Sequence, residues 1–256
     1  MEQVFTTFDP TTLGIALAVA FVAGVVKGIV GFAMPMIMIS LLSSIVSPTL
    51  ALAGLILPTV ATNGFQALRQ GPRAALQAVL AFRVFMAVGL VALLLGAQVT
   101  ALVDQDTLLL LIGVPVLVFA LVQLAGWAPR PNPARRTPIE AATGLVAGFI
   151  GGMSGVWGPP TVMLLTALDT PKATHMRTQG VIYGLGAVAL VVAHIGSGVL
   201  TWQTAQFSAL LVPSALLGMR LGVMVSDRFE QHMFRRATLA VLVLVSLNLV
   251  RRGLLG

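Results

Sequence analysis

The sequence predicts an all-α integral membrane protein of about ten membrane segments, arranged as two inverted five-segment repeats that each carry a short or broken second helix. Three observations lead there. The chain is 57% hydrophobic and only 9% charged, whereas soluble domains carry roughly 25% charged residues. Its apolar runs follow one another so closely that no separate soluble domain fits between them. The pattern G-x3-G-x2-G-x3-P occurs at Gly24, Gly28, Gly31 and Pro35, and again 124 residues later at Gly148, Gly152, Gly155 and Pro159. Glycine-interrupted apolar segments at matching points of two halves point first to a transporter.

Apolar runs between charges and turn residues place segments at 12–30, 34–46, 49–68, 74–96 and 107–127 in the first half, and at 139–156, 160–168, 176–200, 204–221 and 234–250 in the second. A helix rises 1.5 Å per residue and needs about 20 residues to cross the hydrocarbon. The second and seventh segments are therefore short, and either span or re-enter. If both cross, Arg69, Arg73, Arg130, Arg135, Arg136, Lys172, Arg177, Arg228, Arg235 and Arg236 gather on one side, opposite Asp104 and Asp106. The positive-inside rule favours that arrangement, with both termini outside. Arg251 and Arg252 then lie at the outer end of the last helix, where snorkelling accommodates them.

An odd number of crossings per unit inverts the second copy, and the loop charges of the two halves are complementary, as inversion requires. Gly96, Val99 and Gln105 also align with Gly222, Val225 and Gln231 at an offset of 126. The repeats are thus expected at 1–125 and 138–256, joined by a cytoplasmic linker at 126–137, within one membrane domain. The N-terminus has no basic stretch ahead of its first apolar run, so that segment is expected to stay rather than be cleaved. Net charge is +7, but these cations sit in short loops and read as topology signals rather than a nucleic-acid footprint. Without cysteine the chain has no disulfide or thiol chemistry.

The segment GVVKGIVGFAMPMIMISLL at 24–42, with GGMSGVWGPPTVMLL at 151–165 and LLGMRLGVMVSDRFEQHMFRRATLAVLVL at 216–244, resembles the TauE/SafE sulfite-exporter family, also called the TSUP permeases. The resemblance runs over almost the full length and includes the G-x-R-x-G at Gly218, Arg220 and Gly222. It implies a multi-pass bacterial inner-membrane permease for sulfite, a sulfonate or a related organic anion. Relatives often carry three adjacent glycines where this chain has Gly31, Phe32, Ala33 and Met34, so the first copy is bulkier here.

Glycines three and four apart share one helix face and let another backbone approach, which is the packing reading of Gly24, Gly28, Gly148 and Gly152. Gly31 and Gly155 adjoin the breaks, where a short helix starting near Pro35 or Pro159 leaves N–H groups that suit an anion. Ser154 and Trp157 flank the second break with a hydroxyl and an indole N–H. Polar residues inside spans are functional candidates by default. Arg83, mid-segment if its helix is straight, is the candidate counter-ion, or else serves broken-helix carbonyls. Asn63 and Gln66, three apart, share a face and either bind an anion or bond helices together; Gln179 and Tyr183, four apart, offer a second polar wall. Lys27 and His194 are candidates for coupling or gating, against snorkelling and an interfacial position.

The three histidines are scattered, and neither a nucleophile with its base nor a dinucleotide cradle is visible, so no catalysis, metal or cofactor is expected. The expected partners are a small anionic substrate and membrane lipid, with no nucleic acid and room for an oligomer. The functional expectation is a secondary transporter whose two repeats rock about the substrate; a passive anion channel and a non-transporting scaffold are the alternatives.

Overall fold

The computed structural model describes residues 9–99, 105–126, 133–154, 158–196 and 198–255. Eleven α-helices follow in chain order among them: α1 Pro10–Val30, α2 Met34–Leu42, α3 Pro48–Leu68, α4 Pro72–Ala81, α5 Arg83–Val99, α6 Gln105–Leu124, α7 Arg136–Ser154, α8 Gly158–Ala167, α9 Lys172–Gly196, α10 Trp202–Asp227 and α11 Gln231–Leu255. No strand occurs among the described residues. Five helices are long and apolar enough to cross a bilayer: Pro10–Val30, Thr49–Leu68, Lys172–Gly196, Trp202–Asp227 and Gln231–Leu255. The bent pair α4 and α5 makes a sixth if taken as one span. The protein is an all-helical, multi-pass membrane protein. At 9 and 10 residues, α2 and α8 reach only about 15 Å, half a hydrocarbon core.

Helix starts follow the local sequence. Asp9 caps α1 by accepting from the Thr12 N–H at 3.3 Å, ahead of Pro10 in the first turn. Ser47 does the same for α3 through Leu50, ahead of Pro48. Thr201 and Thr204 close a reciprocal capping box on α10. Each arrangement satisfies N–H groups that a helix start otherwise leaves open. The α1 end is set by Gly31, in the left-handed region at φ 88°, where glycine carries no steric penalty.

The chain forms two compact units, and neither follows a sequence half. Unit 1 comprises Met1–Ala75 with Gln179–Glu230, and unit 2 comprises Leu76–Thr178 with Gln231–Gly256. In unit 1, α10 packs on both α1 and α3, and α2 lies against α1 and α3. A side chain on Gly28 would strike the Gly222 Cα at 2.8 Å, and Gly24, Gly218 and Gly222 abut the facing backbone in the same way. The packing reading of Gly24 and Gly28 therefore holds. Small residues Ala16, Ala20 and Ala23 of α1, with Met34, Met38, Leu55, Ile56, Phe207 and Leu211, fill the core.

Pro58 interrupts α3, and a proline within a helix leaves the carbonyl four residues earlier without its helical donor. Ser208 of α10 repairs it: its Oγ donates to the Gly54 carbonyl at 3.0 Å and accepts from the Leu57 N–H at 3.0 Å. Thr62 adds a bond from its hydroxyl to the Pro58 carbonyl at 2.7 Å.

In unit 2, α5 packs on α7 and α6 on α11, with α8 against α7. A side chain on Gly148 would strike the Gly89 Cα at 2.8 Å, and one on Gly144 the Phe85 carbonyl oxygen at 2.6 Å. Thus the glycine motif carries the same kind of backbone-to-backbone contact in both units. The segment expected at 74–96 is not one straight helix, so the condition for a mid-segment Arg83 is not met: α4 and α5 are bent by 78° at Phe82. The bend is held by Arg136, whose Nη2 donates to the Ala81 carbonyl at 3.1 Å and whose guanidinium lies 5.2 Å from the Phe82 ring centre. Arg136 also pairs with buried Glu140 at 2.6 Å.

Candidate functional site

The polar site of unit 1 lies where α1 ends. Lys27, in the last turn of α1, is fully buried, and its ammonium donates to the Asn63 Oδ1 of α3. One turn further along both helices, Gln66 Nε2 donates to the Gly31 carbonyl at 3.1 Å. The three-residue spacing of Asn63 and Gln66 thus matches the four-residue spacing of Lys27 and Gly31, and α3 is bonded to the break through both side chains. Ser226 of α10 donates to the Ile29 carbonyl at 3.0 Å. Beyond Gly31 the chain turns through Ala33, which also has a left-handed backbone at φ 74° and starts α2 without a side-chain cap.

Helix α9 closes on the same residues. A side chain on Gly180 would strike the Ala67 nitrogen at 2.6 Å, and one on Gly184 would touch the Asn63 Cβ at 3.8 Å. Gln179, which precedes Gly180, is fully buried, and among the described residues neither atom of its amide has a partner; the Asn63 Nδ2 is likewise unpartnered among them. Tyr183 is buried one turn on. No ion pair to Lys27 exists among the described residues. An ammonium removed from water without a counter-ion is costly, and the surrounding amides offer hydrogen bonds but no negative charge.

The structure therefore joins Lys27 to Asn63 and Gln66 to Gly31 in unit 1, and buries Gln179 and Tyr183 on the stretch of α9 whose Gly180 and Gly184 pack on α3. His194 is half-buried near the end of α9, where its carbonyl accepts from the Leu200 N–H at 2.8 Å. Arg83 belongs to unit 2 and is exposed at the head of α5. The carbonyl at its bend is served by Arg136 instead. Ser154 is the last residue of α7, while Gly155 and Trp157 lie outside the described residues.

Unit 2 holds a polar cluster that the sequence reading assigned to topology. Arg235 of α11 lies 3.7 Å from Asp169, which follows α8, and donates to Gln123 of α6. Gln231 donates to the Thr170 carbonyl at 3.2 Å and accepts from the Lys172 N–H at 2.9 Å. His175 stands edge-on to Phe234, with ring centres 5.3 Å apart. These contacts tie the α8–α9 turn to α11. The missed signal was the pair Asp169 and Arg235, which sequence separation conceals.

A family model described as sulfite exporter TauE/SafE matches residues 16–249. The probable membrane transporter protein YunE of Bacillus subtilis (strain 168) is 27% identical over 119 residues, 45% of this chain and 42% of that protein. The aligned stretch spans less than half the length of this curated relative. No solved structure matches. The chain belongs to the sulfite exporter TauE/SafE family.

Proposed function

We propose that the chain is a secondary permease of the bacterial inner membrane that moves a small anion, with Lys27 as the cation that receives it. The carrying observation is an ammonium buried, among the described residues, without a carboxylate, and held by an amide whose own N–H groups remain unpartnered among them. An arriving anion supplies the missing charge and accepts from Lys27, Asn63 and Gln179. The uncapped start of α2, with Pro35 in its first turn, adds the positive end of a helix dipole. The family description favours a sulfur-containing oxyanion or organosulfonate over other small anions.

The role of counter-ion expected at Arg83 is assigned to Lys27 because the bend at Phe82 leaves Arg83 exposed. The glycine contacts repeated in the two units support ten segments in two inverted repeats, with rocking of packed helices as the motion. The test is uptake of labelled sulfite and sulfonates into proteoliposomes. Saturable flux and counterflow, lost in Lys27→Met and retained in part in Lys27→Arg, is the expected result. Ohmic current points to a channel, and full flux through Lys27→Met overturns the assignment.

A further inference from the structure

Gln179 carries information about the ligand that Lys27 does not. Its side chain is fully buried, with Nε2 and Oε1 both lacking hydrogen-bond partners among the described residues. A primary amide presents one donor end and one acceptor end. Turning it over exchanges the ends and removes neither, so the argument is independent of which atom is assigned nitrogen. Asn63 differs, because its oxygen already accepts from Lys27 and only its N–H groups remain. Lys27 offers donors alone. The surplus of donors on Lys27 and Asn63 suits anionic oxygens, whereas the acceptor end of Gln179 does not.

An anion without a hydrogen of its own leaves the Gln179 carbonyl stranded in a buried place, which forfeits a hydrogen bond and incurs its desolvation. A ligand that also carries a donor satisfies both ends. The packing of Gly180 on Gln66 and Ala67, and of Gly184 on Asn63, brings this stretch of α9 to the Asn63–Gln66 face. Resting on the anion reading above, we infer that the ligand is a monoanion bearing its own O–H or N–H donor, and that Gln179 selects it over anions of the same charge and shape that have none.

The test is calorimetric binding of matched anions to the purified full-length chain in nanodiscs. Hydroxyethanesulfonate is compared with ethanesulfonate, and methylphosphonate, at a mildly acidic pH where it keeps one proton, with methanesulfonate. The donor-bearing member of each pair is expected to bind about ten- to a hundredfold tighter, and Gln179→Leu is expected to bring the two within about twofold. Equal binding within both pairs by the unaltered chain overturns the inference and leaves the role of Lys27 standing. Discrimination that persists in Gln179→Leu and Gln179→Met overturns the assignment to this residue. Binding that survives Lys27→Met overturns the assignment of Lys27 as the receiving cation, and failure of all four anions to bind the unaltered chain counts against both the anion reading and this inference. The comparison on the unaltered chain needs no variant to fold.

Discussion

Replacing Lys27 by methionine separates binding from folding in a way that few substitutions can. The side chains are similar in length and the site is fully buried, so the exchange removes a charge at nearly constant volume. On the stability side, an ammonium away from water retains a penalty of several kcal/mol, and exchanging buried charges for apolar groups is commonly neutral or stabilising by about 1–4 kcal/mol. Against this, the Asn63 Oδ1 loses its donor, a stranded acceptor costing about 1–3 kcal/mol. Lys27→Met is therefore expected to leave stability unchanged or raise it by about 2 kcal/mol, and adding Asn63→Leu, which removes the stranded acceptor, to raise it by about 1 kcal/mol more. On the ligand side, a charge contact near 4 Å at an effective dielectric of about 20 contributes about 4 kcal/mol, or about three decades of affinity. Thermal denaturation in nanodiscs reads the first quantity and anion titration calorimetry the second. A variant that loses more than about 3 kcal/mol of stability while keeping its anion affinity would show that Lys27 is a structural peg, and the transport reading would fall with it.

Ser208→Ala removes both bonds that repair the Pro58 interruption; a loss of about 2 kcal/mol in chemical denaturation is expected, and an unchanged midpoint would show the interruption is stable alone. Ala33→Gly relieves a left-handed backbone at a residue with a side chain, so a gain of about 0.5–1 kcal/mol is expected, with a lower melting temperature as the contrary result. Gly148→Leu places a branched side chain where even a Cβ meets the Gly89 backbone at 2.8 Å; it is expected to force α5 from α7 and sharply reduce the folded yield on size exclusion. Arg69→Ala breaks an ion pair to Asp227 whose partners are 39% and 49% exposed, and a change below about 1 kcal/mol is expected.

Much of the fold was legible where the physics is local. The caps Asp9, Ser47 and Thr201 precede helix starts in sequence as they do in space, and Gly31 ends α1 where the glycine motif breaks the apolar run. The bend at Phe82 was not legible, because neither proline nor glycine stands there; it depends on Arg136, which reaches Ala81 and Phe82 from 55 and 54 positions away. At the candidate site the shared face of Asn63 and Gln66 followed from their spacing of three. Their partners did not, because Lys27 is 36 residues from Asn63 and periodicity assigns a side chain to a face without naming what it meets. Arg83 drew attention as an apparently central charge, and that inference required a continuous helix.

Each compact unit is assembled from two stretches distant in the chain, and this bears on biogenesis. The glycine ridge of α1 at Gly24 and Gly28 is covered by α10 at Met219 and Gly222, which are translated about 190 residues later. At about 5–20 residues per second, that interval is on the order of 10–40 seconds. Throughout it, α1 waits in the lipid or against the insertion machinery with its mating surface uncovered, and a ribosome that stalls before α10 releases a product in which unit 1 cannot close.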